Sequence, residues 1–247
     1  SSTGQLWGTP TYFWSKHKKT NFDWWKKRFK RQFELVDLLR LDHFRGLAGY
    51  WRVNGNFKAA IFGKWINSPG RTLLKKLKKD LATDFLPIIA EDLGVITPDV
   101  EKLRKDFVLP GMKILQFAFD GNEDNPYLPK NIKGENWVVY TGTHDNSTSI
   151  SWWESLDNNS KERIKDHYKF SENPSWSLIE IGMGTNANLF IAPIQDILSL
   201  DDSSRLNTPG TTKNNWKWKL NRPLEEIEEN MKTFSQLGNN FGRIRKY

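Results

Sequence analysis

Three acids in this chain share one setting. Asp42 follows the apolar run Leu38-Leu39-Arg40-Leu41, and Glu91 follows Ile88-Ile89-Ala90. Asp145 follows Val138-Val139-Tyr140 and the turn Thr141-Gly142-Thr143-His144. Each therefore stands where a strand-like segment ends. In an eight-stranded (β/α)₈ barrel the carboxyl ends of the strands converge on one pocket, so acids at those ends meet there. Carboxylates gathered in that way suit glycoside chemistry. Its transition state is an oxocarbenium ion that anions stabilise. In the retaining mechanism one carboxylate attacks the anomeric carbon, while a second protonates the leaving oxygen and later acts as base. The two must differ in proton affinity, which burial and neighbouring charge arrange. Arg40 lies two residues before Asp42, so a strand turns both side chains to one face. A guanidinium there favours the ionised, nucleophilic carboxylate. His43 and His144 each adjoin one of the acids and can hydrogen-bond sugar hydroxyls, although a core histidine is the plainer reading of either. Acids that follow strands also cap helices, and Asp92 is read in that role.

The elements that must position these residues alternate in type. Trp25, Phe29 and Phe33 recur every four residues beside Lys26, Lys27, Arg28, Lys30 and Arg31. That spacing predicts an amphipathic helix over about 22–36. Leu73, Leu74, Leu77 and Leu81 predict another over about 71–82. Further helices are expected at 98–106, opened by Pro98 at the favoured first position, at 158–169, at 174–182, and at 223–236 with an end near Gly238. Strands are expected at 37–41, 86–90, 113–117, 137–141 and 189–193. Residues 1–20 and 120–135 read as loops. Strands that alternate with helices argue α/β with parallel strands. Five strands do not close an eight-stranded barrel, so the expectation is that either three have gone unseen or the chain is a piece of a longer one; an opening of Ser1-Ser2-Thr3-Gly4 without Met favours the second.

Composition narrows the function classes. The 247 residues contain 37 Lys+Arg and 29 Asp+Glu, a net charge of +8, and no Cys, which excludes disulfides and thiolate catalysis. No run approaches the ~18 apolar residues of a membrane span. A basic surface is compatible with nucleic acid, but the cations sit on the polar faces of amphipathic helices, so no nucleic-acid or membrane partner is expected. Twelve Trp residues offer flat faces for sugar rings. No metal or cofactor is expected, since the four His are scattered and form no His-x-x-x-His pair. Gly182-Met183-Gly184-Thr185-Asn186-Ala187 mimics a dinucleotide fingerprint, yet it precedes a strand-like run instead of following one. Asn146-Ser147-Thr148, formally a glycosylation sequon, reads as a site loop.

Six segments carry a resemblance. They are Gly4-Gln5-Leu6-Trp7-Gly8-Thr9-Pro10, Arg40-Leu41-Asp42-His43-Phe44-Arg45-Gly46, Ile89-Ala90-Glu91-Asp92-Leu93-Gly94, Leu109-Pro110-Gly111-Met112-Lys113, Thr141-Gly142-Thr143-His144-Asp145-Asn146, and Asn207-Thr208-Pro209-Gly210-Thr211 with Asn215-Trp216. In this order they resemble the 4-α-glucanotransferase family (amylomaltase or disproportionating enzyme) of the α-amylase superfamily. The resemblance implies a retaining transferase acting on maltooligosaccharides or α-1,4-glucans. It implies Asp42 as nucleophile, Glu91 as general acid/base and Asp145 as transition-state stabiliser. Arg40, His43 and His144 would contact the sugar, Trp7 the acceptor side and Asn207 a neighbouring rim. Tyr12 and Trp14 are candidate acceptor platforms. Residues 1–247 would then be the C-terminal half of a TIM-barrel catalytic domain, strands four to eight, with the N-terminal part missing and no activity by itself. A bacterial cytoplasm is the expected compartment, with a plastid stroma as the alternative. An α-glucan hydrolase and a non-catalytic glucan-binding module are the rival readings.

Overall fold

A computed structural model describes residue 6 and residues 8–243. The chain divides into two compact units, Ser1–Met112 and Lys113–Tyr247.

In the first unit, α1 (Trp14–Lys19) and α2 (Asp23–Phe33) precede strand β1 (Leu39–Leu41). A hairpin follows, β2 (Gly49–Arg52) and β3 (Lys64–Asn67), then α3 (Gly70–Asp80), β4 (Ile88–Ala90) and α4 (Pro98–Asp106). The aromatic stripe of α2 and the leucine stripe of α3 face one core, where Phe29, Leu73, Leu74 and Leu77 are buried with Phe44, Ile88 and Leu103. Strand β1 pairs with β4 in parallel, Leu39 opposite Ile88, Arg40 opposite Ile89 and Leu41 opposite Ala90. Helix α4 carries Asp99 and Glu101 in its first turn and Arg104 and Lys105 in its last, in line with the helix dipole.

Two features of this unit depart from the sequence reading. Residues 14–19 are helical, where a loop was expected; none of the six residues of α1 is buried, so there is no apolar period to read. The β2–β3 hairpin is antiparallel, with Trp51 opposite Trp65, and neither strand buries a residue. Without a buried face, the alternation that reveals a strand is absent.

Strand β5 (Gly111–Ile114) leads into the second unit, which continues with β6 (Trp137–Tyr140), α5 (Ser149–Ser155), α6 (Asn158–Tyr168), α7 (Pro174–Met183), β7 (Leu189–Ile191), α8 (Ile194–Ile197) and α9 (Glu228–Asn240). The strands form a sheet in the order β5-β6-β7, and β6 and β7 run parallel with Val139 opposite Phe190. Its core holds Leu115, Val139, Ile164 and Leu178. Strand β5 begins two residues and ends three residues earlier than expected. The apolar run after Ile114 leaves the strand as a 3₁₀ turn, in which the Ala118 N–H donates to Leu115 O at 2.9 Å and both residues are fully buried. Helix α5 was not foreseen; Thr148 caps it by accepting from the Ser151 N–H. Helix α9 begins after a 3₁₀ turn at Leu224–Ile227 and runs past Gly238, which is buried within it. It stops instead at Gly242, whose φ of +66° only glycine adopts freely. The glycine-rich decoy is the end of α7. A Cβ on Gly182 would stand 2.1 Å from the Phe190 ring, so this glycine lets the helix lie close against β7.

Candidate active site

In the first unit the parallel register of β1 and β4 continues one step beyond both strands. The Glu91 N–H donates to Leu41 O at 3.0 Å, so Asp42 and Glu91 leave neighbouring strands side by side. Arg40 and Asp42 share a face, as the strand geometry requires, and Arg40 Nη2 meets Asp42 Oδ1 at 2.8 Å. The Asp42 carboxylate stays largely open, with 78% of its side chain exposed. Directly after it the chain bends through a left-handed residue, His43, at φ +47° and ψ +52°. Such a conformation costs a non-glycine residue about 1–3 kcal/mol. The bend aims the His43 N–H at Glu91 Oε2, 2.7 Å away. Glu91 Oε1 accepts from the Leu93 N–H at 3.0 Å, so each carboxylate oxygen is held by a main-chain donor.

A cleft of about 930 Å³ opens beside these residues and is lined by Arg40, Asp42, His43, Tyr12, Trp14 and Trp65 among others. Glu91 is not part of its lining. Tyr12 is 40% exposed, and its ring packs against Trp14 and Trp25 at 5.3 and 4.8 Å. Asp92 caps no helix. It forms a buried ion pair with Arg104 at 3.0 Å and accepts the Met112 N–H at 2.8 Å. Burial pulls the Arg104 guanidinium below its ordinary pKa, and the Asp92 charge opposes that shift.

In the second unit the structure brings His144, Asp145 and Asn207 together. Asn207 Nδ2 donates to Asp145 Oδ1 at 2.5 Å, and His144 Nε2 lies 3.4 Å from the same oxygen. The Asn207 N–H returns to His144 O at 3.1 Å. The exposed Trp216 ring packs on the His144 imidazole with centroids 5.2 Å apart. The loop that carries Asp145 is fastened at both ends by Asp196, on α8. This buried carboxylate accepts from the Thr141 hydroxyl, and from the Ser149 N–H and hydroxyl at 2.8 Å each. Burial pushes the Asp196 carboxyl above its ordinary range, against the hydrogen bonds from Thr141 and Ser149 that favour the charge.

Trp7 lies outside the described residues. Arg40, Asp42, His43 and Glu91 gather in one unit, and His144, Asp145 and Asn207 in the other. Arg205, Asp196 and Trp216 carried no assigned role in the sequence. Asp196 meets partners 47 and 55 residues away, a separation that no local pattern encodes. Arg205, two positions before Asn207, was the nearer signal. Among the described residues no group of three or more His, Asp or Glu is arranged as metal ligands.

Residues 1–225 match the protein family described as 4-alpha-glucanotransferase. The chain belongs to that family. A 4-alpha-glucanotransferase of Synechocystis is 47% identical over 221 residues, which is 89% of this chain and 44% of that protein. A chloroplastic/amyloplastic 4-alpha-glucanotransferase of Arabidopsis thaliana is 44% identical over 237 residues, 95% of this chain and 40% of that protein. An amylomaltase of Streptococcus agalactiae, solved in complex with acarbose, superposes with a TM-score of 0.91 at 34% identity, covering 98% of this chain and 49% of that one. The chain thus spans less than half the length of the relatives it matches.

Proposed function

We propose that this chain supplies the catalytic carboxylates of an enzyme that moves segments of α-1,4-glucan from one maltooligosaccharide to the 4-hydroxyl of another. Asp42 attacks the anomeric carbon as the glycosidic bond breaks, and Glu91 gives its proton to the departing O4. The acceptor 4-hydroxyl then attacks the same carbon, returns a proton to Glu91 and releases Asp42. Two inversions retain the α configuration. Asp145 stabilises the cationic transition state, while Arg40, His43, His144 and Asn207 contact the sugar and Trp7 lines the acceptor side. In this reading β1, β4, β5, β6 and β7 are strands four to eight of a (β/α)₈ barrel, and the β2–β3 hairpin is an excursion after the fourth. Relatives from bacteria and from plastids support a bacterial cytoplasm or a plastid stroma as the compartment.

The observation that carries this reading is the pairing at the ends of β1 and β4. An open carboxylate is held by Arg40, and one step across the sheet a second carboxylate is fixed by two main-chain amides. The test uses the polypeptide at the length of its relatives and maltotriose. Transfer yields a ladder of longer and shorter products without new reducing ends, whereas rising reducing ends mean hydrolysis. Asp42→Asn is expected to lower kcat by about 10⁴-fold or more, and Glu91→Gln by about 10²–10⁴-fold. A glycosyl group trapped on the Asp42 peptide supports the nucleophile; a label elsewhere refutes it.

A further inference from the structure

We propose that Arg205 is a positioning residue that sets the Asp145 carboxylate for the reaction. The inference rests on the functional reading above for its catalytic consequence, and on the geometry of the second unit for its physical basis. One guanidinium donates to three acceptors: Asp145 O through Nη2 at 2.6 Å, Asn207 O through Nε at 2.9 Å, and Ser147 Oγ through Nη1 at 3.1 Å. Its charge is balanced by Asp202 at 3.5 Å. Asp202 in turn accepts the Thr148 N–H at 2.8 Å, which ties the same loop a second time.

These contacts close a ring. Arg205 fixes the main chain of Asp145 and of Asn207. Asn207 then reaches across with its side-chain amide to Asp145 Oδ1 and with its N–H to His144 O. The direction of the Asp145 carboxylate therefore depends on where the Asn207 backbone sits, and Arg205 is the side chain that holds its carbonyl there. The side chain does not itself touch the Asp145 carboxylate in this network, so it acts through the loop. Lysine cannot take its place, because a point charge lacks the planar fork that serves three acceptors at once.

The experiment uses the polypeptide at the length of its relatives, with Arg205→Ala, Arg205→Lys and Asp145→Asn compared with the parent on maltotriose. Arg205→Ala is expected to lower kcat and kcat/KM together by about 10²-fold, the penalty of a misplacement near 1 Å, with KM within about threefold. Added guanidinium ion should restore part of the kcat of Arg205→Ala and none of that of Asp145→Asn. Hydrogen exchange should quicken in residues 143–147 and 205–208 and stay as in the parent elsewhere. A kcat for Arg205→Ala within about threefold of an active parent overturns the proposal. So does exchange that quickens throughout residues 113–243 without guanidinium rescue, the mark of a merely structural side chain. If the parent transfers nothing, the functional reading fails; exchange confined to the two segments then upholds the clamp by itself, and unchanged exchange there refutes it.

Discussion

At the scale of single residues, the acids divide into those left open and those put to structural use. The Asp42 carboxylate is tied to one guanidinium and otherwise faces solvent, while Asp92, one position after Glu91, is buried against Arg104. Removing one partner from a buried pair leaves the other charge stranded, so Asp92→Ala is expected to cost about 3–5 kcal/mol. Denaturant titration of the variant would read this as a lower midpoint at unchanged slope. A loss below 1 kcal/mol would assign the pair no more weight than a surface ion pair. This division was only partly legible in the sequence. Arg40 could be matched to Asp42 because two residues on a strand share a face. Asp92 was misread as a helix cap because its partner, Arg104, stands twelve residues on in the last turn of α4, beyond the reach of a local capping pattern.

At the scale of elements, the Asp145 loop leaves β6 and enters α5, and α8 holds both of its ends through Asp196. The raised pKa of Asp196 fixes the sign of a pH effect. The folded state binds a proton here that the unfolded state has released. The stabilising contribution is therefore full below the ordinary Asp pKa of 3.8 and is lost as pH rises through the elevated folded value. Asp196→Asn abolishes this titration. It keeps an acceptor for the Ser149 N–H and turns an amide toward two hydroxyls that can rotate to accept. Thermal unfolding from pH 4 upward should show the difference between variant and parent moving in the variant's favour. A difference that does not change with pH would contradict the assignment. Asp196→Ala instead orphans the Ser149 N–H, at about 1–3 kcal/mol, and should be destabilised across the range. Elements with a buried stripe, such as α2 and α3, could be read from spacing alone. The β2–β3 hairpin and α1 could not, since neither buries a residue and solvent-facing segments leave no period in the sequence.

At the scale of the whole molecule, the matched relatives are more than twice as long as the aligned portion of this chain. Catalysis by convergent carboxylates needs substrate contacts as well as the acids themselves, and the longer polypeptide is where these are expected to be complete. Residues 1–247 alone should leave maltotriose unchanged, while the polypeptide at the length of its relatives converts it to a ladder. Chromatography of both reactions side by side checks this, and a ladder from the short chain would show that the remaining length is dispensable. Lys27, Lys105 and Lys232 each pair with an acid one helical turn earlier, on Asp23, Glu101 and Glu228, and so decorate solvated faces.

The left-handed bend at His43 has an implication for anyone who engineers this chain. The tie between the Asp42 loop and Glu91 runs through a peptide hydrogen, which every ordinary side-chain exchange at position 43 leaves intact. Proline alone among the standard residues would delete that hydrogen, and its ring demands a φ near −65°, opposite in sign to the +47° found here. Exchange of the imidazole therefore leaves that tie in place, because the alignment of the two carboxylates is written in the main chain, out of reach of any single codon that preserves the turn.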